Sequence, residues 1–229
     1  MCVRSDHQCV GASSLADGGS DAGDDAGAFG GRLRAGPTHS QSVESYFAHV
    51  PGIKIVMPGT PEDAAGLLIS SIRDNSPVLY LENKYLYRRL RANGKIALDP
   101  IPLGQAKVVR PGRDVTLVTY SAGVSQGLEV AEELDKDGVS VEVVDVRTLV
   151  PLDIETIANS VRKTSRAVVL HEAARRLGYG AEIASTIQEE CFWHLDHPVV
   201  RIAAKNTPTP TSPPLEDAVI PQPAEIAET

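Results

Sequence analysis

Apolar residues downstream of residue 42 alternate between two spacings, and this alternation is the clearest pattern in the 229-residue chain. Short runs rich in β-branched residues and bounded by Pro or Gly predict strands, whereas apolar residues three and four positions apart predict helices. The predicted helices cover residues 43–49, 61–74, 124–134, 154–161 and 181–191. The predicted strands cover residues 53–57, 78–81, 115–120, 141–146, 167–170 and 199–202.

The order of these elements favours an α/β fold. The strand runs are too apolar for a sheet with one solvated face, so we expect a mainly parallel sheet covered by helices. A first unit at 36–87 holds only two strands, and its sheet is expected to lack partners. A polar linker at 88–104 leads to a second unit at 105–205, which is complete enough to fold alone.

The two ends of the chain have a different composition from the units between them. Gly, Ala, Ser and Asp supply 20 of the first 30 residues, and such a segment cannot bury enough apolar surface to offset its ordering entropy. We therefore expect residues 1–35 to form a disordered leader, and its lack of an apolar core argues against a secretory signal. Six of the sixteen prolines follow Asn206, which predicts an extended, Pro-rich tail over 206–229.

Charge and cysteine content restrict the partners and the compartment. A net charge of -8 disfavours nucleic acid or an anionic membrane as the main partner, and no apolar run approaches membrane-spanning length. Three cysteines do not make a disulfide framework in a chain this long, and Cys191 is expected in the core. We infer a reducing compartment, the cytoplasm or alternatively the mitochondrial matrix. One local basic cluster is either a solvated linker or a docking patch: Lys84, Arg88, Arg89, Arg91 and Lys95.

His39 is the leading catalytic candidate because it follows Gly36 and Pro37, which interrupt regular secondary structure, and precedes an amphipathic run. The segment 36–41 reads GPTHSQ, and Thr38 or Ser40 could cap the following helix, with Glu44 closing a capping box. An exposed imidazole fixed at such a junction suits proton transfer near neutral pH. The alternative is an ordinary surface histidine near a helix start.

Polar residues also end two predicted strands of the second unit, where open parallel sheets place their ligand sites. Asp145 and Arg147 follow one strand, and His171 and Glu172 follow another. The alternative, which we favour, is that Arg147 pairs with Asp145 or Asp153, and that His171 is a partly buried imidazole with its hydrogen bonds satisfied.

The helix end at 70–77 (SSIRDNSP) offers a further kind of site. Carbonyl oxygens at a helix C-terminus lack internal partners and carry a negative partial charge, which suits a monovalent cation. The alternative is an ordinary C-terminal turn in which Asp74 and Asn75 bond the local backbone.

Several longer segments carry a family resemblance from about Gly36 to Glu216. The segments are 39–68 (HSQSVESYFAHVPGIKIVMPGTPEDAAGLL), 72–84 (IRDNSPVLYLENK), 144–153 (VDVRTLVPLD), 169–173 (VLHEA), 178–183 (GYGAEI) and 206–216 (NTPTPTSPPLE). Together they resemble the beta subunit of the decarboxylating component of 2-oxo acid dehydrogenase complexes. That group includes the pyruvate, branched-chain 2-oxo acid and acetoin enzymes, which depend on thiamine diphosphate.

The resemblance implies a fold and a site. The fold would be a truncated pyrimidine-binding-type domain at 36–87, followed by a transketolase C-terminal-type domain at 105–205. His39 would face the thiazolium side of the cofactor, where it steadies the substrate carboxylate or donates a proton as the lipoyl sulfur is reduced. A structural potassium ion would be held by the carbonyls of Ser71, Ile72, Asp74 and Ser76. The glutamate that protonates the cofactor's pyrimidine ring has no candidate, since Glu44 is the first Glu in the chain.

The resemblance also implies partners and an activity. An alpha subunit would hold the diphosphate and its magnesium in a heterotetramer with a second beta subunit, and the complex would pass the acyl group to a dihydrolipoyl acyltransferase core. The isolated chain is expected to be inactive because it lacks the activating glutamate. The alternative function is a non-catalytic assembly module that dimerises or docks the acyltransferase core.

Overall fold

The computed structural model describes residues 28–92 and 94–229, and its strands form three sheets. The strands are β1 (Ala28–Phe29), β2 (Lys54–Val56), β3 (Val78–Tyr80), β4 (Glu82–Asn83), β5 (Lys107–Arg110), β6 (Val115–Thr119), β7 (Val141–Asp145), β8 (Thr148–Val150), β9 (Ala167–Ala174) and β10 (Val200–Ala204). The helices are α1 (Gly36–His39), α2 (Glu44–Ala48), α3 (Pro61–Arg73), α4 (Leu86–Arg89), α5 (Ala122–Lys136), α6 (Ile154–Thr164), α7 (Gly180–Cys191), α8 (Pro213–Asp217) and α9 (Pro223–Ala227).

The second unit is a five-stranded sheet in the order β10-β9-β6-β7-β5. Neighbouring strands in this sheet are parallel, except that β5 pairs antiparallel with β7. Alternate residues of each strand face opposite helical layers: Val118 packs in the core with α6 and α7, and Leu117 packs with α5 and α9. Both faces are therefore buried, as the apolar strand runs predict.

The first unit's sheet has the order β3-β2-β8 and takes one strand from the second unit. β2 runs parallel to β3 and antiparallel to β8, where Ile55 pairs with Val150. The expectation that the strands of this sheet lack further strand partners is therefore wrong for β2, which pairs with β8. Because β8 follows β7 after only two residues, the same stretch of chain serves both sheets and joins the units.

The boundaries at both ends differ from the expectations where the structure describes them. Residues 28–29 pair in parallel with 82–83, and Phe29 is buried, so 28–35 do not belong to a disordered leader. Residues 1–27 lie outside the described part of the chain. The prediction of an extended tail is wrong for α8 and α9. Each of these helices begins at a proline, a residue that helices accept in their first turn. Ile226 of α9 is also buried against the core.

Two sequence-based expectations about single features can be checked directly. Cys191 is a buried free thiol, as expected for a core residue, whereas the neighbouring Trp193 side chain is exposed. In the described part of the chain, no helix has both the length and the apolar character needed to span a bilayer.

Candidate active site at the junction of the two units

His39 is the last residue of the four-residue helix α1, and its side chain is exposed. The turn is closed by the Ser40 amide, which donates to the carbonyl of Gly36 at 3.0 Å. The predicted capping box does not form, because α2 begins after Val43 without a side-chain cap. His39 therefore lies at a junction between two short helices.

Glu44 is buried rather than capping a helix. Its side chain is 0% exposed, and the hydroxyl of Tyr120 donates to Oε1 at 2.8 Å, while Oε2 has no hydrogen-bond partner among the described residues. Burial raises the pKa of Glu44 to about 7, although the hydrogen bond from Tyr120 partly opposes this shift. One signal for this position is present in the sequence, since Phe47 and Ala48 lie three and four residues later and pack on the core.

His171 lies beside this pair, in the interior of the second unit. Its ring stacks on Tyr120 with centroids 6.4 Å apart, and the residue is 1% exposed. Burial, with the nearby charges of Arg201 and Arg175, lowers the pKa of His171 to about 4, so the ring is neutral. Neither ring nitrogen has a partner within the described part of the chain, so the expectation of a satisfied imidazole is wrong.

The Gly178-Tyr179-Gly180 turn gives this ring its space. A Cβ atom on Gly178 would lie 2.6 Å from Cε1 of His171, and one on Gly180 would overlap the other side of the ring. Glycine is therefore required by close packing of the backbone on an imidazole, and the turn is not needed to cradle a phosphate.

Glu172, the next residue of β9, connects the second unit to the segment that leads into α1. Its Oε1 accepts from the Gly31 amide at 2.6 Å and from Nδ2 of Asn83 at 3.4 Å. Burial raises the pKa of Glu172, and the Gly31 amide and the Arg32 charge oppose that shift.

A cleft of about 940 Å³ opens directly after His39, between the two units. Its lining includes Ser40 and Gln41 from the first unit, Glu172 and Tyr179 from the second, and Ile220 from the tail. Charges of both signs line the cleft, including Arg176, Glu182 and Lys205. Such a cleft could hold a substrate or part of a partner chain.

Asp145 and Arg147 hold the two units together. The guanidinium of Arg147 makes a buried ion pair with Asp63 at the start of α3, so the expected pairing with Asp145 or Asp153 is wrong. Asp145 instead accepts from the backbone amide of Arg147 at 3.0 Å. Burial, with the charge of Asp63, raises the pKa of Asp145 to about 7, while Arg147 opposes the shift.

The structure brings the four potassium-ligand candidates together at the C-terminal end of α3. Several groups in this turn already have protein partners: the Asp74 amide donates to the Ser71 carbonyl at 3.3 Å, and the Ser76 amide donates to Oδ1 of Asp74 at 2.8 Å. Nζ of Lys54 lies 2.5 Å from Oδ2 of Asp74 and lowers the pKa of that carboxyl. The local bonding of Asp74 matches the ordinary-turn alternative, and the carbonyl-rich donor set still suits a cation such as potassium.

No group of three or more His, Cys, Asp or Glu side chains that could hold a metal ion occurs within residues 28–92 and 94–229. Glu44, Tyr120 and His171 form a buried hydrogen-bonding and stacking arrangement. Glu172, the residue after His171, and Gly178, which packs close to the His171 ring, both line the cleft.

Two domain families match this arrangement. The family described as the transketolase C-terminal domain matches residues 104–226, more than half of the chain, and the transketolase pyrimidine-binding domain matches residues 28–89. The chain belongs to the transketolase family. The predicted fold class is confirmed, and the transketolase pyrimidine-binding match begins at the strand β1 that sequence reasoning assigned to the leader.

Relatives with both units carry more specific names. This transketolase-type chain is 45% identical over 201 residues to the pyruvate dehydrogenase E1 component subunit beta of Bacillus subtilis, covering 88% of this chain and 62% of that protein. It is 45% identical over 185 residues to the mitochondrial 2-oxoisovalerate dehydrogenase subunit beta of Dictyostelium discoideum, covering 80% of this chain and 50% of that protein. The chain thus spans between 50% and 62% of the length of these two relatives.

Solved structures of transketolases share the fold at low identity. A split-gene transketolase, described as an inactive beta4 tetramer, superimposes with a TM-score of 0.67 at 20% identity and covers 83% of this chain and 60% of its own. A transketolase variant from Pichia stipitis superimposes with a TM-score of 0.57 at 13% identity and covers 84% of this chain and 27% of its own.

Proposed function

We propose that this chain acts as the beta subunit of the decarboxylating component of a 2-oxo acid dehydrogenase complex, acting on pyruvate or a branched-chain 2-oxo acid. The observation that carries the proposal is the 45% identity to a pyruvate dehydrogenase E1 beta subunit over 201 residues, which extend through both units. The product acyl group is transferred to a lipoyl group of an acyltransferase core.

The proposed partners follow from this assignment. An alpha subunit and a second beta subunit complete a heterotetramer, which docks on the dihydrolipoyl acyltransferase core. The location is the cytoplasm, with the mitochondrial matrix as the alternative, because one relative is bacterial and another is named as mitochondrial.

His39 is the proposed catalytic residue of this chain. Its exposure, and its place in the chain directly before Ser40, which lines the cleft, support a role in contact with substrate. The imidazole either steadies the substrate carboxylate or donates a proton to the lipoyl sulfur as it is reduced. Both roles require the ring to be held in a defined place while remaining accessible.

The proposed cofactor is thiamine diphosphate shared with the alpha subunit, which also carries the magnesium ion. When bound, this cofactor supplies the stabilisation of negative charge that decarboxylation requires. Within the described residues, Glu44 does not fit the activating carboxylate, because it is 0% exposed and bonded to Tyr120. No step is therefore assigned to Glu44, and this chain's own contribution is the placement of His39 and the cleft wall.

Co-expression with the alpha subunit encoded in the same genome tests the proposal. Decarboxylation of pyruvate and of a branched-chain 2-oxo acid is measured with thiamine diphosphate and magnesium, for the chain alone and for the pair. Because the activating glutamate has no candidate in this chain, the pair contains a hybrid in which the chain replaces the matching part of the Bacillus subtilis subunit. We expect turnover only in this pair, with one of the two substrates preferred. A pair that forms a stable complex without turnover on either substrate would contradict the proposal and favour the assembly-module alternative.

His39→Ala in the pair should lower turnover by about two to four orders of magnitude, the usual contribution of a positioned acid or base. His197→Ala is the matched control, since His197 is also exposed and does not line the cleft. Both variants should fold normally because exposed side chains have few packing contacts to lose. Equal losses at both positions would remove the catalytic assignment of His39.

A potassium ion at the carbonyls of Ser71, Ile72, Asp74 and Ser76 is the remaining part of the proposal. Its support is the group of carbonyl oxygens at the negative end of the 13-residue helix α3. A bound ion would raise the unfolding midpoint in potassium chloride above that in sodium chloride at equal ionic strength. Identical midpoints in the two salts over a range of concentrations would contradict this site.

A further inference from the structure

Residues 31–36, which we call the arm, lead directly into the helix that ends at His39. Two consecutive amides of the arm are held by carboxylates, one from the second unit and one from the tail. The Gly31 amide donates to Oε1 of Glu172 at 2.6 Å, and the Arg32 amide donates to Oε1 of Glu216 at 3.0 Å. Glu216 is 0% exposed, so its bond to the arm is shielded from water and correspondingly strong.

The arginine side chains of the arm make a second set of contacts, mainly to the C-terminal segment, although Arg32 also lies over the Tyr85 ring, 5.7 Å from its centroid. Nη1 of Arg34 lies 2.8 Å from Oε2 of Glu216 and donates to the Pro213 carbonyl at 2.9 Å. Nη2 of Arg34 donates to Oδ2 of Asp217 at 3.1 Å, and Arg32 donates to the Pro221 carbonyl at 2.5 Å. One guanidinium therefore connects two carboxylates and a backbone carbonyl.

The backbone of the arm has a conformation that it would not keep without these contacts. Arg32 has a φ of 66° and Arg34 a φ of 61°, in the left-handed region that residues with a Cβ atom rarely adopt. The arm also lies very close to the C-terminal segment: a Cβ atom on Gly36 would be 2.7 Å from Cγ2 of Thr211, and one on Gly31 would overlap Ile220.

We propose that residues 211–221, here called the strap, are a positioning element that fixes the arm and thereby sets the place of His39. Without the strap, the arm would relax toward ordinary backbone conformations, and α1 has only four residues with which to resist the change. Arg34 and Glu216 are positioning residues, because they act on His39 through the arm. The consequence for turnover rests on the proposed function, whereas the consequence for the arm's stability does not.

Arg34→Met tests the proposal while keeping the aliphatic stem of the side chain. Arg110→Met is the matched control, because Arg110 also binds a carboxylate, Asp135, and a carbonyl, Val141, at the far edge of the sheet. In hydrogen exchange of the chain alone, the hydrogen-bonded amides of Gly31, Arg32 and Ser40 should exchange about tenfold faster in Arg34→Met than in the wild type. The same amides should be unchanged in Arg110→Met, and unchanged exchange in both variants would overturn the strap.

A second readout concerns the assembled enzyme with its alpha subunit. Arg34→Met should lower kcat by about tenfold with little change in KM, because His39 is misplaced rather than lost. Arg34→Lys, which keeps the charge, should recover part of both the exchange protection and kcat. Faster exchange with an unchanged kcat, in an enzyme that His39→Ala inactivates, would overturn the positioning role. Full activity of His39→Ala would instead overturn the catalytic assignment, and the exchange result would still decide the strap.

Discussion

Replacing Glu44 by Gln should remove a pH dependence that the buried carboxyl gives to the stability of the chain. Gln has nearly the same shape as Glu and can still accept the hydrogen bond from Tyr120 through Oε1. Only the titration is removed. The comparison therefore isolates one group at the junction of the two units, and it requires neither cofactor nor partner.

The sign and size follow from the raised pKa of Glu44, about 7 when folded against 4.5 for the ordinary group. Between these values the unfolded chain binds fewer protons than the native chain, so the free energy of unfolding falls as pH rises. The slope is about 1.4 kcal/mol per pH unit, or about 3 kcal/mol over the whole interval. Asp145 contributes with the same sign and His171 with the opposite sign, but both are present in the two proteins and cancel in the difference.

Urea unfolding of the wild type and of Glu44→Gln between pH 5 and 8 gives the difference directly. Glu142→Gln is the control: burial alone would raise the pKa of Glu142, but bonds from Lys163, Ser160 and the Gly112 amide hold it below its usual value. The stability from Glu142 is therefore lost only at lower pH, and its difference curve should be flat above pH 5. A flat curve for Glu44→Gln as well would refute the assignment of a proton to native Glu44.

Two further predictions concern contacts between and within the units. Asp63→Asn should lower the free energy of unfolding by about 3 kcal/mol, because it leaves the guanidinium of Arg147 buried without its partner. The same variant should lower the pKa of Asp145, since the charge of Asp63 raises it; an unchanged Asp145 titration in carboxyl NMR would contradict the arrangement. Gly112→Ala should cost about 1–3 kcal/mol, because the new Cβ would overlap the backbone at 141–142; a chevron or urea titration equal to that of the wild type would contradict the close approach.

The sheet of the second unit could be predicted from sequence because its strands are continuous apolar runs. Val115–Thr119 and Val141–Asp145 end within one residue of the predicted strands, and both faces of each strand are buried as expected. A strand buried on both faces needs a continuous apolar run, and such a run is visible in the local sequence. Strand β5 was missed because Lys107–Arg110 has only two apolar residues between two basic ones and lies at an antiparallel edge where burial is partial.

The contacts around His39 could not be predicted because their partners are distant in sequence. Arg34 lies 183 residues from Asp217, and nothing in the local pattern indicates that the two meet. The tail was expected to be extended because prolines are unfavourable inside helices. They are accepted at the first helical position, however, and Pro213 and Pro223 lie there. The extent of α3 could be predicted to within one residue, because its Thr60 cap and its start at Pro61 are local features.

Three kinds of contact join the units, and each fixes a different degree of freedom of the first unit. The pairing of β2 with β8 sets its register, the ion pair of Asp63 with Arg147 anchors α3, and the bond of Tyr120 to Glu44 anchors α2. Two of these contacts bury ionisable groups. Their desolvation lowers the free energy of unfolding, and an apolar junction would not have this cost. A junction of this chemistry is expected where orientation matters more than stability, because hydrogen bonds and ion pairs accept fewer arrangements than apolar packing does. Under the proposed function, the residue that this orientation would serve is His39, which α2 follows and the arm precedes.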